Sequence, residues 1–215
     1  MVLNEVIKMI RFDELLEKME EDSKNNNSVR NKNLHLSEVA ICGFKYRYRL
    51  DNDLFIPFKL EYYVGNSFEF TIVNQLKKMT NIITQYQIPF KYENLSFIGH
   101  TDAYDVNNDV IYELKSSFAY NGNYFDIYER QLKAYMIAND IKFNNKSKGV
   151  LWYFNFTKKV YKEMVFDSYN YNDSNMLSAN IIAFKENRYF EGIENSLCAF
   201  CENINCKMKG KKVIK

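Results

Sequence analysis

The stretch GHTDAYDVNNDVIYELKS, residues 99–116, holds Asp102, Glu113 and Lys115 around an Asn-rich turn. Residues two apart on a strand point to the same face, so Glu113 and Lys115 share one. A two-residue loop at Asn107 and Asn108, a residue type that tolerates positive φ, would pair Val106 with Asp109 and set Asp102 opposite Glu113. Carboxylates opposed across a sheet repel unless a cation lies between them. A hard divalent ion, Mg2+ or Mn2+, suits two oxygen ligands with open positions. Lys115 beside such an ion is placed to counter negative charge on a phosphate or to orient an attacking water. Taken alone, the pattern reads more readily as a solvated strand face, because such spacings arise by chance in charged sequences.

The elements that must position these residues follow from apolar periodicity. Leu3, Val6, Ile10, Leu15, Leu16 and Met19 predict an amphipathic helix over 3–21, followed by a polar link to residue 33. LSEVAICGFKYRYRL predicts a short helix with Ser37 as its N-cap. Residues 61–80 predict a longer helix with Phe68, Ile72, Val73, Leu76 and Met79 on its apolar face. Strands are expected from about 86 to 118 with a turn at 106–109, then a helix over 123–139 and a strand pair at 149–156 and 159–167. A last helix is expected over 173–190, capped by Asp173 or Ser174. This order describes a mixed α/β domain around a central sheet.

Within that frame, GHTDAYD followed by IYELKS resembles motifs II and III of the PD-(D/E)XK nuclease superfamily. Gln131 and Tyr135 of RQLKAYM, four apart and so on one helix face, resemble the QxxxY motif of the RecB-like branch. The resemblance covers roughly residues 34–206 and implies a restriction-endonuclease-like fold, a central mixed sheet flanked by helices. It implies Asp102, Glu113, Lys115, Gln131 and Tyr135 as catalytic residues, with Asp102 and Glu113 holding Mg2+ or Mn2+. The family's motif I has a glycine followed by a His-Glu pair, the His binding metal. Here GNSFE puts Phe68 at the His position, so Glu69, or His100 two residues before Asp102, is the candidate auxiliary ligand.

Four cysteines are split, Cys42 near the start of this region and Cys198, Cys201 and Cys206 at its end. The C-terminal trio has strong metal-ligand spacing, whereas Cys42 alone is equally a packed helix residue. The split resembles Cas-four-type CRISPR-associated exonucleases, their viral homologues and AddB-like nuclease domains. It implies a 4Fe-4S cluster joining N- and C-terminal segments, with four thiolates equally suited to Zn2+. That divides the chain into a helix and link (1–33), a nuclease domain (34–206) and a basic tail (207–215).

In KYRYRL, Lys45, Arg47 and Arg49 alternate with tyrosines including Tyr48, a pattern suited to phosphate pairing and base stacking on a single strand, or equally to a solvated basic helix face. At 215 residues, 47% hydrophobic and net charge +2, the chain fits one domain and does not demand a nucleic-acid partner by charge. No apolar run reaches membrane-spanning length, and Glu5, Asp13, Glu14 and Glu17 argue against a signal peptide, so a cytoplasmic protein is expected. There, structural disulfides are disfavoured. The resemblance implies DNA, chiefly single-stranded, as substrate, with Cas-type integrase or recombination proteins as partners, in CRISPR adaptation or viral replication and recombination. The alternative is a nuclease-fold module that binds DNA or protein without cutting, motivated by Phe68.

Overall fold

The computed structural model describes residues 17–22, 33–52, 54, 60–118, 124–186, 194–201, 203 and 206–209. The helix expected over 3–21 lies mostly outside these residues, as does the polar link; residues 17–22 are helical, with Lys18 bridging Glu21 and Asp22. The basic tail beyond residue 209 is also outside them.

The elements are β1 (Leu34–His35), α1 (Leu36–Asp51), α2 (Leu60–Met79), β2 (Ile82–Tyr92), β3 (Leu95–Asp105), β4 (Val110–Ser117), α3 (Phe125–Phe143), β5 (Lys148–Asn155), β6 (Val160–Phe166) and α4 (Tyr171–Glu186). A 3-10 turn, Cys198–Phe200, carries the first C-terminal cysteine. The strands make one six-stranded mixed sheet. β2, β3 and β4 form an antiparallel meander, β4 and β5 run parallel, and β5 and β6 are antiparallel. The parallel step needs a crossover, and α3 supplies it. β1 joins the same edge of β3 as β4 does, at Phe97 and Ile98, before β4 takes over at Ala103.

Burial sorts the helices into two layers. On one face, α1, α3 and α4 close over the larger core, including Leu36, Val39, Phe97, Ile111, Leu132, Tyr135, Leu151, Ile181 and Phe184. On the other, α2 covers a smaller core of Val73, Ile82, Ala103 and Leu114. The expected apolar face of α2 is only partly used: Val73 is buried, whereas Met79 is 80% exposed.

Several boundaries differ from expectation for local reasons. The sheet begins at Ile82 rather than 86, because β2 and β3 are separate strands joined at Glu93, which takes φ 51°. The turn after β3 has four residues, not two, so Asp105 rather than Val106 closes the ladder, opposite Val110. The Asp105 carboxylate accepts from the backbone N–H groups of Asn107 and Asn108, and Asp109 rather than an asparagine supplies the positive φ, 54°. His35, not Ser37, occupies the N-cap of α1, and without a side-chain cap. α4 starts at Tyr171 because Asn170 and Asp173 form a reciprocal pair: Asn170 Oδ1 accepts from the Asp173 N–H, and Asp173 Oδ2 from the Asn170 N–H.

α1 is two helical pieces broken at Cys42, which is extended at φ −165° and ψ 105°. The break frees the Ala40 carbonyl and the Gly43 N–H, and the Asn180 side chain of α4 satisfies both, donating to Ala40 O at 3.0 Å and accepting from Gly43 N at 3.2 Å. Cys42 acts as N-cap of the second piece: the Lys45 N–H, three residues on, points to its Sγ at 3.5 Å. Because Asn180 is buried, Asn180→Ala strands two backbone groups away from water. We expect it to destabilise the fold by at least about 2 kcal/mol in urea denaturation, with Asn180→Asp, which loses the donor to Ala40 and buries a carboxylate against that carbonyl, no milder.

Candidate active site

Asp102 sits where β3 changes character. The β2–β3 ladder keeps one register from Ile82/Asp105 to Tyr92/Leu95, yet Gln85 and Asp102 do not pair, and Gln85 takes φ 51°. Side-chain alternation inverts across this point. Phe97 and Tyr104, of opposite parity, both face the larger core, while Ala103 faces the smaller one. On the other edge, the β3–β4 ladder stops at Ala103/Tyr112. Continued by one residue, its register would set Asp102 opposite Glu113, the relation read from the sequence. Instead the strands part, and the Asp102 carboxylate accepts from the Leu114 N–H at 2.7 Å, standing in for a strand carbonyl.

Beyond the parting, β4 sends Glu113 and Lys115 toward α3, while Ser116 points toward α2. Glu113 is 1% exposed. Its Oε1 accepts from Lys115 Nζ at 2.5 Å and from Gln131 Nε2 at 2.6 Å. Its Oε2 is buried with no hydrogen-bond partner. Gln131 also donates to the Tyr135 hydroxyl at 3.0 Å. Tyr135 is buried, and its ring lies close against Gly99, where a Cβ would come within 2.8 Å of it. That contact explains the glycine that opens the 99–116 stretch.

Glu69 arrives from the opposite helix layer. Gly65, one turn earlier on α2, lets the helix approach β4 so closely that a Cβ there would lie 2.5 Å from Ser116 Oγ. Ser116 in turn donates to Glu69 Oε1 at 2.9 Å. Phe68 faces elsewhere, its ring edge-on to Phe154 and Phe156, both at 4.9 Å, so it clamps α2 over the end of β5.

Electrostatics ties these groups together. Burial, then the neighbouring Asp102, push Glu113 up from 4.5 to about 8, with Glu69 adding to the rise and Lys115 opposing it. Burial also raises Glu69, with Asp102 adding to the rise and Lys115 opposing it. Burial pulls the Lys115 ammonium down, but Glu113, Asp102 and Glu69 outweigh it and hold Lys115 above its usual range. Of the two auxiliary candidates, Glu69 is therefore coupled to the cluster. His100 lies against His35, ring centroids 5.9 Å apart.

Among the described residues, no three His, Cys, Asp or Glu side chains stand close enough together to hold a metal ion by themselves. The Asp102–Glu113 pair fits a different mode, in which a hard ion takes one or two carboxylates and completes its shell with water and substrate phosphate. The unpartnered Oε2 of Glu113 is the observation that supports that fit.

The four cysteines form no closed metal site among the described residues. All are free thiols. Burial raises Cys42 to about 11, with Cys201, Cys206 and Cys198 each adding to the rise. Cys198 accepts the Asn195 N–H at 3.4 Å, the same kind of N–H···S bond that Cys42 receives. Asn195 donates to the Ile41 carbonyl and Ser196 to Asp126, docking this segment on α1 and α3.

In the basic stretch of α1, Arg47 pairs with Asp51 at 2.9 Å, Arg49 reaches Glu38 at 3.4 Å, and the Lys45 N–H serves Cys42. Tyr48 is half-buried. The two arginine charges are thus met within the protein. Reading the sequence did not single out Ser116, which positions Glu69, or Gly65 as the reason α2 can approach. The signal for both was the small side chain facing its counterpart.

No protein-family model matches this sequence, and no curated protein matches it. The fold is similar to a solved structure titled "Crystal structure of SSO0001", with a TM-score of 0.64 at 15% identity, covering 93% of this chain and 98% of that one. No helix among the described residues is long and apolar enough to cross a membrane.

Glu113 yields a pH prediction. Between about pH 4.5 and 8 the unfolded chain loses a proton that folded, metal-free Glu113 keeps, so its contribution to stability falls across that window and levels off above it. Thermal denaturation of metal-free protein should show this fall, and Glu113→Gln should remove it. Mn2+ or Mg2+ should stabilise the wild type more at pH 8 than at pH 5.

Proposed function

We propose that this chain is a metal-dependent deoxyribonuclease that hydrolyses phosphodiester bonds, chiefly in single-stranded DNA, on a restriction-endonuclease-like fold of the RecB-like branch. The observation that carries this reading is Glu113, a buried carboxylate held by Lys115 and Gln131 at one oxygen and left without a partner at the other, beside Asp102. Asp102 and Glu113 would hold Mg2+ or Mn2+, with Glu69 as a third carboxylate reached through solvent or substrate. Such an ion supplies Lewis acidity at a phosphate oxygen and a bound water that loses its proton readily.

The chain's own residues do the rest. Lys115, fixed between Glu113 and the Leu114 carbonyl, keeps its positive charge and faces the charge of an entering phosphate. Gln131 fixes the Glu113 rotamer, and Tyr135 fixes Gln131. The four cysteines would hold a 4Fe-4S cluster or Zn2+, tying residues 194–206 to α1. The settings that fit such an enzyme are spacer processing in CRISPR adaptation beside an integrase, and replication or recombination of a virus.

Asp102 also closes the sheet, so Asp102→Asn, which keeps an acceptor for the Leu114 N–H, is the cleaner variant. Labelled single-stranded oligonucleotide should be cut in Mn2+ or Mg2+, and Asp102→Asn, Glu113→Gln and Lys115→Ala should each lower the rate on the order of a hundredfold or more. Variants cutting at the wild-type rate would sink the assignment. A wild type that binds the strand and never cuts it would instead be the binding module that Phe68 argues for.

The cysteine site has its own readout. Protein purified without oxygen should be brown, with broad visible absorption lost in Cys198→Ser. Colourless protein that releases zinc on thiol modification would assign Zn2+ instead.

A further inference from the structure

The site described above uses only the deeper half of one stripe on α3. That stripe runs Tyr128, Gln131, Tyr135, at spacings of three and four, so all lie on one helix face, and Tyr124 stands at the N-cap just before it. Tyr135 is buried and Gln131 half-buried against Glu113, while Tyr128 and Tyr124 are half-buried toward the N-terminal end of the helix. The upper half is aromatic throughout. The Tyr124 and Tyr128 rings are 6.5 Å apart, Tyr128 lies 6.1 Å from Tyr153, and Phe125 packs edge-on to Tyr153 at 4.7 Å. Lys162 of β6 places its ammonium 4.9 Å above the Phe125 ring. Tyr128 lies three residues before Gln131 on α3, and Gln131 donates to Glu113, so Tyr128 stands one turn from the reacting groups; burial raises its hydroxyl to about 12.

A cluster serving only packing would be apolar toward the core and indifferent to the site. This one leads from the protein's outside to Glu113, keeps rings that are only partly buried, and carries a cation at its rim. Resting on the nuclease reading above, we propose that Tyr128 forms a stacking platform for one unpaired nucleobase next to the scissile phosphate, with Tyr124 edge-on beside it and Lys162 meeting a neighbouring phosphate. Base–aromatic stacking tolerates any sequence, since every base offers a π-face. A base inside a duplex has both faces covered by its neighbours, so the platform selects single strands by geometry rather than by sequence.

The test compares two oligonucleotides of equal length and charge, one with all its bases and one abasic through its centre. Binding is read by fluorescence anisotropy in metal-free buffer. The wild type should bind the intact strand about five- to 150-fold more tightly. Tyr128→Ala should bring the two affinities together, Tyr128→Phe should keep them apart, and a duplex of the same sequence should bind no better than the abasic strand. Equal wild-type affinity for the intact and abasic strands, or no binding to either, overturns the proposal without reliance on any variant. Cleavage in Mn2+ is scored separately. Base-dependent binding without cleavage upholds the platform and removes the nuclease reading, and cleavage without base dependence does the reverse.

Discussion

The burial of one carboxylate governs this structure. Glu113 cannot sit beneath α3 without polar partners, because a buried carboxyl that makes no hydrogen bond is costly in either protonation state. Lys115 and Gln131 make the burial tolerable, and each requires something further. Lys115 must leave β4 on the same face, which fixes strand register. Gln131 must sit at the right height on α3, which fixes how that helix crosses from β4 to β5. Tyr135 beneath it then needs the bare backbone of Gly99.

The second constraint is the parting of β3 and β4. Splayed strands normally leave backbone groups exposed or unsatisfied. Here a side chain fills the gap, and the Asp102–Leu114 bond keeps the sheet sealed while bringing a carboxylate beside Glu113. The positive φ at Gln85 and the handover from β1 to β4 on the far edge belong to the same rearrangement. α2 reaches the parting from below through Gly65, Ser116 and Glu69, so both helix layers meet at one point of the sheet.

Much of this was legible in the sequence because it rests on local periodicity. The alternation of Glu113 and Lys115 and the four-residue spacing of Gln131 and Tyr135 follow from strand and helix geometry, whereas the ladder that would set Asp102 against Glu113 ends one pair short, at Ala103 and Tyr112. The loop length was misread because the Asp105 side chain, not the asparagines, organises the turn, and side-chain capping from outside the loop leaves no mark on its composition. The face inversion at Asp102 and the break at Cys42 were hidden for a related reason. Each is stabilised by a partner far along the chain, Gln85's strand in one case and Asn180 in the other. Arg47 and Arg49 looked free because Asp51 and Glu38 become their partners only once α1 has formed.

The β3–β4 hairpin carries four acids, and the fold supplies them with donors very unevenly. Asp105 receives two backbone N–H groups, the Asn108 amide and the Thr80 hydroxyl. Burial alone would raise it, yet these donors hold it below its usual range. Asp109 is met by Tyr104, Asn139 and Asn145. Asp102 has the Leu114 N–H, and one oxygen of Glu113 has nothing. A cation approaching this hairpin finds the tip saturated and the far end in deficit. Where an ion would settle is thus decided by the distribution of hydrogen-bond donors rather than by the density of negative charge, and the acids at the tip hold the hairpin's shape without competing for it.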